Sequence, residues 1–265
     1  MAPRCLARAL VALVAVLVAA HAASAIPMRE TAPWTLLLCK LKDNDREPKS
    51  SAWFKEWFNN DSKEGSVTQF FRDVSNGMYT VYAAETYGWF KVPFDKAEVR
   101  RLALADHTLG DINDVDRKTA LKTKELCTMF ARFYFGIKLS SRAITFTNSQ
   151  NIALFCRQRG ILISTSYFMT SALTHEMCHS FHVGHSFSNR NVKVYPHADV
   201  GEYDDLYDLM STSNAFSYWS QYGSTGPGLN GPHLDYLGWL PSNRVLFFNA
   251  AKSSFPQTLH LASLR

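Results

Sequence analysis

Apolar and polar positions alternate along the chain in a way that predicts both strands and helices. Residues 34–41 form a continuous apolar run typical of a buried strand, and residues 51–58 space their aromatic side chains at three and four, as an amphipathic helix does. Further strands are predicted at 78–84, 89–92, 143–147, 161–164 and 244–248, and further helices at 67–74, 94–105, 114–137, 171–181 and 232–237. This mixture predicts an α/β (α+β) fold built on a twisted mixed sheet.

The N-terminus has the pattern of a cleaved secretory signal. Arg4 and Arg8 precede an apolar run at 9–20, and Ala-Ser-Ala at 23–25 supplies the small residues of a cleavage site. A helix over that run would extend only about 18 Å, which is too short for a hydrocarbon layer of about 30 Å. We therefore predict a signal peptide at 1–25, a mature chain over 26–265, and a secreted, extracellular protein.

Charge and hydropathy exclude several kinds of partner. The formal net charge is +5, part of which leaves with the two signal arginines, and no basic cluster is interleaved with aromatic residues. Such a weak positive balance predicts no nucleic-acid partner. No later apolar run is long enough to span a bilayer, so we expect no membrane partner. We also expect a monomeric protein.

Four cysteines remain after the signal peptide is removed. Cys5 leaves with the signal, which keeps Cys39, Cys127, Cys156 and Cys178, an even number for an oxidising compartment. Two disulfides are possible in three pairings, and the sequence does not choose among them. Cys178 is equally compatible with a small buried thiol.

The chemistry-bearing stretch of the chain is His-Glu-Met-Cys-His at 175–179. On a helix, His175 and His179 present their imidazoles on one face, about 6 Å apart along the axis. Glu176, directly after the first histidine, is placed to act as a general base on a metal-activated water. The spacing therefore predicts a catalytic Zn²⁺ site.

The third metal ligand has to come from further along the chain, because zinc in hydrolases takes three protein ligands and keeps one open position. His182 would lie about 10 Å along a continuing helix from the first ligand, too far to share one ion. His185 can return to the metal if the helix ends near positions 182 to 184, and Gly184 favours such an ending. Glu202 is the next alternative, and spacing alone leaves these candidates open.

The histidines, together with the later segment Asp208-Leu-Met-Ser, resemble the metzincin metallopeptidases, whose pattern is H-E-x-x-H-x-x-G-x-x-H followed by a methionine turn. The resemblance implies that His175, His179 and His185 are the three ligands. It also implies that Glu176 is the general base and that Met210 forms an apolar floor beneath the metal. His182 stands where the pattern has glycine. The chain turns sharply there, so positive φ is expected, and histidine is among the few non-glycine residues enriched in that region.

A weaker resemblance extends over most of the mature chain. Segments 34–41, 70–77, 87–90 and 226–239 are similar to secreted gametolysin-like and immune-inhibitor-A-like peptidases. The resemblance implies a metzincin-like zinc metallopeptidase catalytic domain over 26–265, with an upper lobe at about 26–186 and a smaller irregular lower lobe at about 187–265. Two long helices are expected above the cleft between them.

These patterns predict a secreted zinc-dependent endopeptidase that hydrolyses a peptide or protein substrate by metal-activated water, with Glu176 as general base. An alternative is a secreted zinc-binding pseudo-peptidase that acts as a binding or structural protein, motivated by His182 at the glycine position. A third hypothesis keeps hydrolysis but takes Glu202 or His182 as the third ligand.

Two regions after the histidines invite weaker interpretations. Glu202, Asp204, Asp205 and Asp208 form an acidic stretch, but the spacing is not that of an EF-hand loop, so a solvated loop is favoured over a calcium site. Tyr218 is a candidate for stabilising an oxyanion, although an ordinary packed tyrosine is the favoured reading.

Overall fold

The computed structural model describes residues 28–109, 114–149, 151–156, 160–212 and 216–245. The predicted signal peptide and most of the predicted strand at 244–248 lie outside these residues, and Arg244 belongs to a 3₁₀ turn, Ser242–Arg244. The described residues contain six α-helices and a five-stranded sheet. The expected mixed α/β fold is confirmed.

The central sheet is mostly parallel. Its strands are β1 (Thr31–Lys40), β2 (Thr80–Lys91), β3 (Ala143–Thr147), β4 (Ala153–Cys156) and β5 (Gly160–Ser164). They lie in the order β2-β1-β3-β5-β4, and β4 alone runs antiparallel to its neighbour. Each parallel pair in a sheet needs a crossover connection, and helices supply two of the crossovers here. A two-stranded hairpin, β6 (Tyr218–Ser220) with β7 (Gly223–Thr225), follows later in the chain.

The helices begin and end where local capping chemistry permits. They are α1 (Ser51–Asn59), α2 (Val67–Val74), α3 (Lys96–Ala105), α4 (Val115–Phe135), α5 (Thr170–Ser180) and α6 (Gly231–Tyr236). Asp95 and Glu98 form a capping box at the start of α3, and Asp114 accepts two backbone N–H bonds at the start of α4. Gly136 ends α4 with φ of +63°, which a residue without Cβ adopts at little cost. None of the described helices is both long and apolar enough to cross a bilayer.

Two strand predictions differ from the structure. The strands expected at 78–84 and 89–92 are one continuous strand, β2, which runs through Gly88. Glycine weakens a strand locally, but pairing along most of β1 maintains it. The short β4 was not predicted, since four residues at an antiparallel edge carry too little periodicity to be recognised.

Both faces of the sheet are covered, and β1 shows this most directly. Leu36 and Leu38 point into one core cluster with residues of α1, α2 and α5, whereas Leu37 and Cys39 point into another with residues of α4. Because successive side chains of a strand face opposite sides, this explains the continuous apolar run in the sequence. The two longest helices, α4 and α5, therefore lie on opposite faces of the sheet, whereas the sequence analysis expected both above one cleft.

A disulfide between Cys39 and Cys127 ties β1 to α4. The two residues are 88 positions apart in sequence, so the bond closes a long loop in the unfolded chain. Cys178, on α5, is a buried free thiol, which was one of the alternatives left open by the sequence. The disulfide therefore joins the sheet to α4 on the face opposite α5.

Replacing both Cys39 and Cys127 by alanine is expected to lower the free energy of unfolding by about 2–5 kcal/mol, because the cross-link no longer restricts the unfolded chain. Urea denaturation of the mature protein measures this. The matched control is Cys178→Ala, which removes a buried thiol without cutting a cross-link and should cost only about 1 kcal/mol. Equal losses in the two proteins would show that the bridge does not contribute as a cross-link.

Candidate metal centre

The first two candidate ligands lie on one face of α5. Leu173, Met177 and Cys178 on the same helix are buried in the core, which anchors its inner side. The rings of His175 and His179 have centroids 4.7 Å apart and are nearly perpendicular to each other. Helical spacing thus brings the two imidazoles together, as the sequence predicted.

Helix α5 ends early enough for the following residues to turn back toward the first two histidines. Ser180 is its last residue, and His182 adopts φ of +65°. The N–H of Val183 donates to the carbonyl of Cys178, and the N–H of His182 donates to the carbonyl of His179, which together form a Schellman ending. The expected positive φ at His182 is confirmed, while the turn lies there and not at Gly184.

Aromatic packing fixes the position of this ending. Phe181, the residue after the last helical turn, is buried and makes edge-to-face contacts with Phe71, Tyr79 and Trp239. Its side chain holds the C-terminal end of α5 against α2 and the segment after α6. The packing of Phe181 in the core therefore fixes the position of the turn at His182.

After the turn, His185 returns to the first two histidines. Its ring centroid lies 4.8 Å from that of His179 and 5.7 Å from that of His175. One ligand nitrogen from each of the three histidines lies within 4.8 Å of the other two. His182 is exposed, and neither it nor Glu202 belongs to this cluster. Of the candidates left open by spacing, the structure brings His185 to the site.

Each of the three imidazoles makes a hydrogen bond through its Nδ1 atom. His175 Nδ1 lies 2.9 Å from the carbonyl oxygen of Leu209, and His179 Nδ1 lies 2.8 Å from that of Val183. His185 Nδ1 lies 2.7 Å from a carboxylate oxygen of Glu202. Since these oxygens only accept, each Nδ1 is the donor, and in the corresponding neutral tautomer the Nε2 atom has the lone pair that binds a metal ion. Three Nε2 atoms are thereby available to one metal ion.

Burial keeps two of the candidate ligands, His175 and His179, neutral. Burial and the neighbouring His179 lower the pKa of His175 to about 3, and burial is also the main cause that lowers the pKa of His179 to about 4. Neutral imidazoles are the form that binds a metal ion. At neutral pH no proton has to leave these two rings before a cation can bind.

Glu176 lies beside the cluster and is only 8% exposed. Burial raises its pKa to about 8, although the backbone N–H of Phe155 opposes this shift. A buried carboxyl with few compensating partners holds a proton more strongly than a solvated one. At neutral pH the metal-free carboxyl is therefore mostly protonated, and the positive charge of a bound metal ion would lower its pKa and leave a carboxylate able to accept a proton.

Glu202 orients His185 and is not itself part of the cluster. Its second carboxylate oxygen accepts the N–H of Asp199 at 2.8 Å, and its backbone forms a bridge with Phe187. Burial acts to raise the pKa of Glu202, but the hydrogen bonds from Asp199 and His185 outweigh it and lower the pKa. A charged carboxylate behind a ligand fixes the ring and increases its basicity.

Replacing Glu202 by alanine is therefore expected to weaken zinc binding by about 10- to 100-fold, since His185 loses the partner that orients it. Titration against a competing chelator measures the affinity. Asp204→Ala is the matched control, because that carboxylate lies in the same loop but is bonded to Arg190. Equal zinc affinities for the two variants would show that Glu202 does not support the metal site.

The segment around Met210 is hydrogen-bonded to residues of the histidine cluster and its neighbours. Leu209, which accepts from His175, donates its own N–H to the carbonyl of Gly228 at 2.8 Å. Met210 is fully buried, and its carbonyl accepts the N–H of Ser186 at 3.0 Å, immediately after His185. This segment thus connects to both the first and third histidines.

The acidic stretch is not the solvated loop that the sequence favoured. Asp208 is fully buried, lies 2.8 Å from His233 Nδ1, and accepts the N–H of Asn230. Asp204 is paired with Arg190. The solvated-loop prediction was wrong because it counted charges without the partners that later segments supply.

Of the tyrosines, the structure places Tyr203 at the cluster. Tyr218 is 45% exposed and lines a cavity of about 330 Å³ together with Asp73 and residues of the 225–229 segment. The ring centroid of Tyr203, in contrast, lies 4.0 Å from that of His185. The sequence analysis missed Tyr203, and its only local signal was its position directly after Glu202.

Comparisons with known proteins add little to this geometry. No protein-family model and no curated protein matches the chain. A solved structure described as "Structure of a chaperone-substrate complex" is similar over 79% of this chain at 13% identity, with a TM-score of 0.35. The chain spans 34% of the length of that solved chain, and a likeness at this level assigns neither fold nor function.

Proposed function

We propose that the protein is a secreted zinc-dependent endopeptidase of the metzincin type. The observation that carries the proposal is the convergence of His175, His179 and His185, whose ligand nitrogens lie within 4.8 Å of one another while each Nδ1 is bonded on the far side. Three imidazoles suit Zn²⁺ and leave a fourth position for water. The donor set therefore fits the metal that the sequence predicts.

The residues of the chain would divide the reaction between them. A bound Zn²⁺ would supply Lewis-acid polarisation of water and of the substrate carbonyl. Glu176 would accept a proton from the attacking water while the water oxygen bonds to the carbonyl carbon of the substrate. It would then return that proton to the leaving amine. The three histidines would hold their geometry throughout, because Leu209, Val183 and Glu202 fix their rings.

The proposal includes a metzincin-like catalytic domain over 26–265, an upper lobe at about 26–186 and a lower lobe at about 187–265. It is supported by the buried Met210 and by Leu209, which link the later part of the chain to the histidines. Secretion is supported by the signal pattern at 1–25 and by the Cys39–Cys127 disulfide, which is typical of oxidising compartments. A peptide or protein substrate and a monomeric state complete the proposal.

The alternative of a secreted zinc-binding pseudo-peptidase was motivated by His182 at the glycine position. That side chain is exposed, its backbone adopts the positive φ that the turn requires, and the three ligands still converge. The observation that motivated the alternative therefore no longer favours it.

Zinc content and proteolysis, measured on the same purified mature protein, test the proposal. We expect about one zinc per chain, cleavage within a broad peptide library, loss of cleavage on chelation and its recovery when zinc is restored. One bound zinc without cleavage would favour the pseudo-peptidase instead. A protein that binds no zinc would contradict both.

A further inference from the structure

The loop between α1 and α2 carries an acceptor pattern for N-linked sugar. Asn60, Asp61 and Ser62 form the pattern N-x-S, and no other asparagine in the 265-residue sequence is followed two positions later by serine or threonine. Such a pattern is used where it lies on the surface of a protein that passes through the secretory pathway. The surroundings of Asn60 therefore decide whether it can serve as an acceptor.

The side chain of Asn60 is turned toward the serine of its own pattern. Its Oδ1 atom accepts the backbone N–H of Ser62 at 3.2 Å and the hydroxyl of Ser62 at 2.8 Å. Because a backbone N–H can only donate, the oxygen of the amide and not its nitrogen must face Ser62. The Nδ2 atom lies at the other corner of the amide, and no described residue accepts a hydrogen bond from it.

The backbone around the pattern is a turn that solvent reaches. Asn60 is the residue after the last turn of α1, where its N–H donates to the carbonyl of Glu56 at 3.0 Å. Asn60 is half-buried, and the next four residues, 61–64, are all exposed. The acceptor therefore lies in a surface loop, outside the regular elements whose backbone and side chains are committed to packing.

The loop is held against the protein at its other end. Gly65 is buried with φ of +82°, and an added Cβ there would lie 2.1 Å from the hydroxyl oxygen of Ser220 on β6. The carbonyl of Gly65 accepts the hydroxyl of Thr170 at the start of α5. Gly65 thus packs against the protein, while residues 61–64 lie on the solvent side.

Ion pairs hold the exposed part of the loop without using the Asn60 amide nitrogen. Arg72 of α2 donates to the carboxylate of Asp61 at 3.1 Å and to its carbonyl at 2.7 Å, and Lys63 pairs with Glu56. None of these groups bonds to the side chain of Asn60. A sugar on Nδ2 would therefore displace no hydrogen bond among the described residues.

We propose that Asn60 is an N-glycosylation site whose Nδ2 atom bears an oligosaccharide in the secreted protein. The proposal rests on the secretion included in the proposed function and not on peptidase activity. Nδ2 forms a bond to the anomeric carbon of the first sugar while the bond from that carbon to the diphosphate of a lipid-linked oligosaccharide breaks. The diphosphate leaves with the bonding electrons, and the amide nitrogen loses one proton to a base of the transferring enzyme.

Expression of the full chain, with its signal pattern at 1–25, in a eukaryotic secretory cell line tests this. We expect protein from the medium to shift in electrophoretic mobility after treatment with peptide N-glycosidase, and peptide mass spectrometry to locate the accompanying conversion of Asn60 to aspartate. Asn60→Gln and Ser62→Ala should each lose the shift. Ser62→Thr, which keeps a hydroxyl, and Asn191→Gln, which replaces an exposed asparagine outside the pattern, should keep it.

The outcomes separate this inference from the secretion on which it depends. If the protein in the medium carries no sugar at Asn60, the inference is wrong while secretion stands. If the shift persists in both Asn60→Gln and Ser62→Ala, the sugar is attached elsewhere and the inference is also wrong. If the chain stays inside the cells without sugar, secretion and the inference are both overturned, whereas sugar at Asn60 on a retained chain would support the site and contradict secretion.

Discussion

Glu176→Gln is expected to abolish peptide cleavage while the protein keeps its zinc. The amide has the shape of the carboxyl group but cannot take a proton from water, and a positioned general base contributes about 10²–10⁴-fold to the rate. Glu176 is buried beside the histidines and is not needed as a ligand, since three nitrogens already converge. The loss should therefore appear in kcat and not in metal content.

Steady-state kinetics on the best substrate from the library, with zinc analysis of the same sample, measure this effect. Glu125→Gln is the matched control, because it removes a carboxylate paired with Lys122 on α4, the helix on the opposite face of the sheet. That control should cleave at the wild-type rate. Proteolysis by Glu176→Gln at the wild-type rate would exclude the mechanism proposed for this site.

His185→Ala is expected to lose most of its affinity for zinc and, with it, all cleavage. Removal of one of three nitrogens leaves two ligands on α5, and a ligand's share of the binding free energy predicts a loss on the order of 10³-fold. The neighbouring rings keep their own partners, Leu209 and Val183, so the fold of α5 should not change.

Competition with a chelator gives the zinc affinity of His185→Ala, and His182→Gly is its control. Both substitutions remove a histidine from the same short segment, but only His185 lies in the cluster, whereas His182 is exposed, and glycine adopts the positive φ at position 182 without strain. We expect wild-type affinity for His182→Gly. If His185→Ala kept its zinc, His185 would not be a ligand, and a loss in His182→Gly would assign that position instead.

The features that the sequence predicted are those set by local periodicity and spacing. The apolar run of β1 and the aromatic spacing of α1 each reflect the faces that the core buries. His175 and His179 were paired correctly because helical geometry alone brings residues four apart onto one face. Such features need no knowledge of distant segments.

The features that it could not predict depend on which distant segments meet. Cys39 pairs with Cys127 because an odd-numbered side chain of β1 faces α4, and neither the face nor the helix position is visible in spacing. The return of His185 depends on where α5 ends, which Phe181 decides through contacts with residues far away in sequence. Tyr203 was missed for the same reason, since its importance is its contact with His185.

X-ray absorption at the zinc edge of the mature protein tests the central claim most directly. Three histidines sharing one metal predict a single four-coordinate site with nitrogen or oxygen neighbours at about 2.0–2.1 Å and outer-shell scattering from three imidazole rings. Scattering from fewer than three rings, or a sulfur neighbour at about 2.3 Å, would contradict the assignment of His175, His179 and His185 as the ligands.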